Sequence, residues 1–149
     1  MEYRKAGSGD IESLVILRKK QLIDEGGKET VSIDEELERF FREGLADGSV
    51  VVWVAEDEGE IVSTVGVCFY NYPPTFRNAT GKIAYLTNVY TKDEYRNRGI
   101  ATELLKYIMD EIKAEKCGIT RLHASSQGRR MYEKMGFTDD EGFMSLKNE

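Results

Sequence analysis

The chain has 149 residues, the length of one ordinary domain, and its 21 basic and 27 acidic side chains leave a net charge of −6. With 40% apolar and 32% charged residues it has the profile of a globular protein, which excludes collagen-like, coiled-coil and disordered classes. The acidic balance also removes nucleic acid as an expected partner, because non-specific affinity for a polyanion rests on basic charge.

Cys68 and Cys117 are too few for a disulfide framework and no charged-then-apolar leader opens the chain, so both are expected as reduced thiols in the cytoplasm. No apolar run approaches the roughly 20 residues that cross a bilayer, so no membrane partner is expected. The single histidine, His123, lies far from either cysteine. That spacing excludes structural zinc, and no metal site is assigned.

Residues 2–6 read as a short strand, Gly7, Ser8 and Gly9 turn the chain, and Asp10 caps a first helix. Ile11, Leu14, Val15 and Leu22 recur at helical spacing, with Arg18, Lys19 and Lys20 toward the end, until Gly26 and Gly27 stop the run. Ser32 and Glu35 have capping-box spacing, and Ile33, Leu37, Phe40, Phe41 and Leu45 line one face of a second helix that ends near Gly48. The period then changes. Residues 50–55 and 60–70, joined by an Asp57-Glu58-Gly59 turn, form a β-hairpin; residues 71–80, with Pro73 and Pro74, form a loop; and residues 82–90 form a third long strand.

Between positions 99 and 114, Ile100, Leu104, Leu105, Ile108, Met109 and Ile112 share one helical face. Residues 121–124 read as a short strand, 127–135 as a short helix closed by Gly136, and 137–146 as extended chain. The order implies an α/β or α+β sheet with helices on both faces, and no linker or repeat divides it. Residues 1–149 are therefore expected to form one domain.

Chemistry concentrates in the segment Arg96, Asn97, Arg98, Gly99, Ile100, Ala101, which joins a strand to the clearest helix. A glycine at a helix mouth lets backbone amides approach a ligand, and the free N–H groups with the helix dipole make an anion site. Spacing alone leaves a solvated basic turn as the simpler reading. Downstream, Tyr132 lies on a short amphipathic helix beside Met131 and Met135, where a tyrosine is by itself a packing residue.

Together the two segments resemble the Gcn5-related N-acetyltransferase (GNAT) family. Its phosphate-binding signature, Gln/Arg-x-x-Gly-x-Gly/Ala, is met by Arg96, Gly99 and Ala101, and a late Tyr-x-Lys-x-Gly-Phe segment by Tyr132, Lys134, Gly136 and Phe137. The resemblance implies a mostly antiparallel central sheet of about six to seven strands flanked by about four helices. It implies acetyl-CoA as cosubstrate, with Val89, Tyr90 and Thr91 along the pantetheine and Arg96, Asn97, Arg98, Gly99, Ile100, Ala101 and Thr102 around the pyrophosphate. Arg129 or Arg130 would meet remaining phosphate charge. Tyr132 would be the general acid that protonates the departing thiolate.

Three positions depart from the family pattern. Ser125 stands where many members carry a cofactor-binding asparagine, Gly128 where an alanine is common, and Thr87 where some members place a glutamate base. Candidates for that base are Asp34, Glu35, Glu36 and Glu38 in the second helix, His123, or water ending at Tyr85 or Tyr70. A cleft carrying Asp24, Glu25, Glu29, Asp34, Glu35 and Glu36 opposite Tyr70, Tyr72 and Phe76 would favour a small cationic amine. The expected activity is direct acetyl transfer to a primary amine. The alternative is an acyl-CoA-binding module with little catalysis, which the missing glutamate favours. Phe143 and Met144 on the last extended segment leave both a monomer and a two-fold homodimer open.

Overall fold

Period-two alternation in the valine-rich strands divides the apolar residues between two faces of one sheet, and that division sets the architecture. The computed structural model describes residues 1–140 and 142–148. Glu2–Lys5 (β1), Val50–Asp57 (β2), Glu60–Asn71 (β3) and Lys82–Thr91 (β4) are antiparallel neighbours in that order. Ile119–Arg121 (β5) completes the sheet beside β4, and it runs parallel.

Val50, Val52 and Val54 of β2 point toward Ile11–Asp24 (α1) and Asp34–Asp47 (α2), where they pack with Leu14, Leu17 and Phe41. Their neighbours Val51 and Trp53 point the other way, into the core that Ile100–Ala114 (α3) builds with Leu104, Leu105 and Ile108. Arg129–Lys134 (α4) contributes Tyr132 to this second core. Helices thus cover both faces, as expected. No helix among the described residues is long and apolar enough to cross a membrane.

Among the described residues the sheet has five strands, not six to seven. The difference lies at the C-terminal end: residues 137–140 and 142–148, read as a last extended element, join no strand. The alternation there is broken by Asp139 and Asp140, which reach back to Arg129 and Arg121, and Phe143, Met144 and Leu146 stay exposed. The preceding strand is displaced too, occupying Ile119–Arg121 instead of 121–124, and the short helix is Arg129–Lys134 rather than 127–135.

The two expected helix caps also differ in detail. Asp10 stands at the N-cap of α1, but its carboxylate turns back to the Gly7 N–H at 2.8 Å and to the Arg4 guanidinium at 2.8 and 2.9 Å. Ser32 and Glu35 form no capping box. Ile33 occupies the α2 N-cap without a side-chain bond, and Asp34, Glu35 and Glu36 complement the helix dipole instead.

One contact tests the packing of α2 on the sheet. Gly44 is buried, and a Cβ built there would lie 2.3 Å from Val50 Cγ2. Helix propensity alone favours Gly44→Ala by about 1 kcal/mol, whereas overpacking costs roughly 1–3 kcal/mol. The clash wins, so Gly44→Ala is expected to lower the urea midpoint, and adding Val50→Ala should recover part of the loss as a coupled double-mutant cycle.

Candidate active site

The cavity exists because two parallel strands part. The β4–β5 pairing ends at Tyr85 and Arg121, and beyond it the strands diverge around a space of about 1430 Å³. A bulge sharpens the divergence: the β3–β4 register shifts between Thr64 and Gly66, and Asn88 on β4 takes a left-handed backbone with φ 54°. The Thr64 hydroxyl donates to the displaced Asn88 carbonyl at 2.6 Å, so the bulge is locked in place. Val89, Tyr90 and Thr91 then line the cavity.

The turn after β4 supplies the second wall. Gly99 has φ 77°, a conformation that favours glycine, and it stands at the α3 N-cap with no side-chain bond. The first backbone bond across this helix start runs from Glu103 N–H to Gly99 O at 3.0 Å. The N–H groups of Gly99, Ile100, Ala101 and Thr102 therefore have no carbonyl partner among the described residues, and these residues, with Arg96 and Asn97, border the cavity. Such a cluster of free donors at a helix N-terminus suits a pyrophosphate.

The arginines act differently from one another. Arg96 Nε donates to the Thr91 carbonyl at 2.9 Å, its guanidinium pairs with Asp93 at 2.9 Å and with Asp24 at 3.8 Å, and it lies over the Tyr90 ring. It staples the turn. Arg98 does not line the cavity; its guanidinium stacks on Tyr95, 5.1 Å from the ring centre. Arg129 pairs with Asp139 and Glu133, and Arg130 is exposed.

Tyr132 closes the third side. Its ring is 6% exposed, packs edge-on against Phe137 at 5.9 Å, and borders the cavity. Gly128 lies under it: a Cβ there would meet Tyr132 Cε2 at 3.0 Å. Ser125 also borders the cavity, but its hydroxyl accepts the Gly128 N–H at 3.1 Å and so anchors the start of α4. Burial, reinforced by the charge of Glu25, pushes the Tyr132 phenol up to about 12.

Residues 48–139 match the model of the acetyltransferase (GNAT) domain. The chain belongs to the GNAT family and is an N-acetyltransferase. A crystal structure of a predicted acetyltransferase from Clostridium acetobutylicum, with acetyl-CoA, is 42% identical, superposes with a TM-score of 0.94 and aligns over 98% of this chain and 95% of that one. Thialysine N-ε-acetyltransferase of Mus musculus is 25% identical over 99% of this chain and 90% of its own length. A GCN5-related N-acetyltransferase of Ralstonia eutropha shares the fold, with a TM-score of 0.90 at 23% identity over 98% and 97% of the two chains.

The remaining side of this GNAT cavity is the last two turns of α1. Asp24 and Glu25 line it, as expected for an acidic cleft, but Glu29, Asp34, Glu35 and Glu36 do not. Glu29 and Asp34 hold Lys19 at 3.2 and 2.9 Å, which pins the α1–α2 connection. Tyr72 and Phe76 border a separate cavity of about 350 Å³ near Ile83 and Ile119, and Tyr70 borders neither. The α2 carboxylates Asp34, Glu35, Glu36 and Glu38 are thereby removed as bases, while His123, edge-on to Tyr85 at 6.1 Å, does face the cavity beside Thr87.

Asp24 accepts the Tyr90 hydroxyl at 3.1 Å and pairs with Arg96, so of the two α1 carboxylates Glu25 is the freer. Arg18 and Gln21 also line the cavity, and sequence reasoning gave neither a role in the site. One signal was available: Leu14, Leu17 and Gln21 form the buried stripe of α1, and a polar residue interrupts an apolar series there.

The raised Tyr132 phenol carries a linkage consequence. A phenol near 10 unfolded and about 12 folded favours the protonated native state, so its contribution is complete below pH 10 and lost as pH rises toward 12. That shift corresponds to about 2–3 kcal/mol at most. Urea unfolding between pH 9 and about 12 should show a declining stability that is shallower in Tyr132→Phe than in the native chain.

Proposed function

We propose that residues 1–149 act as one catalytic unit that transfers the acetyl group of acetyl-CoA to a primary amine by direct attack within a ternary complex. One observation carries this reading: the unpartnered N–H groups at the start of α3 and the Tyr132 side chain open onto the same cavity. The relative from Clostridium acetobutylicum was solved with acetyl-CoA, and the mouse relative is named for transfer to an ε-nitrogen, both in line with it.

Each role follows from position. The helix start, from Arg96 to Thr102, binds the pyrophosphate through backbone donors, with Arg96 as the staple that holds the turn. Val89, Tyr90 and Thr91 lie along the pantetheine arm, and the Ser125 anchor keeps α4 against it. The acceptor arrives as an ammonium, drawn to Glu25 and Asp24, in the cytoplasm of the cell.

The ammonium must lose a proton before its nitrogen can attack the thioester carbonyl. Glu25, which faces the cavity at the same end, receives that proton, and so removes the need for a carboxylate at Thr87. The nitrogen–carbon bond forms as the carbonyl pair moves to oxygen, and the collapse of the tetrahedral adduct breaks the carbon–sulfur bond. Tyr132 gives its hydroxyl proton to the leaving sulfur, and the second proton lost by the acylated nitrogen restores the phenol. With its phenol pushed up to about 12 it stays protonated at ordinary pH, so the proton is present to be given, and the charge developing on the leaving sulfur draws it across.

No cysteine lies on this path: Cys68 is largely buried and its thiol is pushed up to about 11 by desolvation, which leaves it a poor nucleophile. Direct transfer is favoured over an acetyl-enzyme.

Calorimetry with acetyl-CoA and thiol release on an amine panel test the proposal. Tyr132→Phe is expected to lower kcat by about 10²–10⁴-fold with acetyl-CoA affinity retained. Gly99→Val, which forces a β-branched residue into φ 77°, should cost roughly 1–3 kcal/mol of local strain and weaken acetyl-CoA binding. Unchanged turnover in Tyr132→Phe returns that residue to packing, and binding without turnover on any amine points to an acyl-CoA-binding module.

A further inference from the structure

The acceptor end of the cavity carries a positive charge that acetyl transfer itself does not use. Two arginines line the cavity, Arg18 and Arg96. Arg96 is consumed by the Thr91 carbonyl, Asp93 and Asp24. Arg18, half-buried on α1, has no carboxylate within ion-pair distance among the described residues, and its one side-chain partner there is the Gln21 amide oxygen at 3.3 Å. Its neighbour Lys19, by contrast, is held by two carboxylates. A half-buried guanidinium with one neutral acceptor keeps most of its five N–H donors and its charge without a protein partner.

The position of Arg18 is as informative as its charge. It lines the cavity together with Tyr85 of β4, and its charge acts on Tyr85 and on Cys68 of β3. Glu25 acts on Tyr132, the proposed proton donor, and on Tyr85 as well. Glu25 stands at the C-cap of α1, seven residues and about 10 Å along the axis from Arg18 at 1.5 Å per residue. Buried Gln21 stands between them, accepting from Arg18 and donating to Glu25 at 3.2 Å, so their spacing is fixed.

We propose that Arg18 seats a carboxylate of the acceptor, which is therefore an amino acid or related zwitterion acetylated on an amine at the far end of an extended side chain. The inference rests on the acetyl-transfer reading of the same cavity. The ammonium lies at the Glu25 end near Tyr132, and the carboxylate at the Arg18 end. A carboxylate is favoured over a phosphate by charge: Asp24 and Glu25 share this wall, so a dianion would face two negative groups against one uncommitted guanidinium.

Steady-state thiol release with lysine, lysinamide, 1,5-diaminopentane and 5-aminopentyl phosphate as acceptors tests this in the native chain, Arg18→Gln and Arg18→Lys, with acetyl-CoA affinity followed by calorimetry. The native chain is expected to prefer lysine over lysinamide by about 10- to 100-fold in kcat/KM, carried by KM, as for a charge-assisted pair. In Arg18→Gln that preference collapses with acetyl-CoA affinity retained, and Arg18→Lys restores part of it. Equal use of lysine and lysinamide by the native chain, an equal loss on every acceptor in Arg18→Gln, or preference for the aminoalkyl phosphate overturns the proposal and leaves acetyl transfer standing. No acetyl-CoA binding and no turnover on any amine overturns both.

Discussion

Backbone polar groups in a sheet must find partners, and the parting of β4 from β5 beyond Tyr85 and Arg121 leaves a strand edge facing an open cavity. The rest of the site is arranged around that edge. The bulge at Asn88, locked by the Thr64 hydroxyl, turns the last residues of β4 away from the line of the sheet. The same divergence makes room for the start of α3 to point its donors inward and for α4 to bring Tyr132 alongside. A flat, fully paired sheet with the same side chains would have no such space.

Electrostatics hold the opening in shape. Asp24, at the last residue of α1, accepts the Tyr90 hydroxyl and pairs with Arg96, whose Nε bonds the Thr91 carbonyl. One carboxylate thus ties α1, β4 and the turn before α3 together. Burial and the bond to Asp24 push the Tyr90 phenol up to about 12, so this link remains a neutral donor to a charged acceptor at ordinary pH. Arg96, which the sequence motif presents as a phosphate ligand, is better understood as the brace of the turn that presents the amides.

Much of this was readable from residue order because it rests on local physics. The valine runs, the apolar face of α3 and the Arg-x-x-Gly-x-Ala turn are short-range patterns, and they appear where expected. Elements that depend on long-range pairing were less legible. The short strand Ile119–Arg121 is defined by the end of β4 that it meets, and residues 137–140 and 142–148 join no strand, Asp139 and Asp140 turning instead to Arg129 and Arg121. The acidic cleft was only half legible for the same reason: Glu29 and Asp34 are neutralised by Lys19, a contact between two helices that no spacing rule reveals. Arg18 and Gln21 were hidden because a helical arginine near a C-terminus already has a sufficient explanation in the helix dipole.

The sheet also works as a partition. Leu14, Leu17 and Phe41 belong to the apolar cluster on one side, and Leu104, Ile108 and Tyr132 to the cluster on the other, with the strands as the wall between them. Drift in the first helix that spares Asp24 and Glu25 can therefore retune which molecule is recognised without disturbing the layer that carries α3 and Tyr132. A lineage built on this plan can diversify its diet while inheriting its chemistry intact.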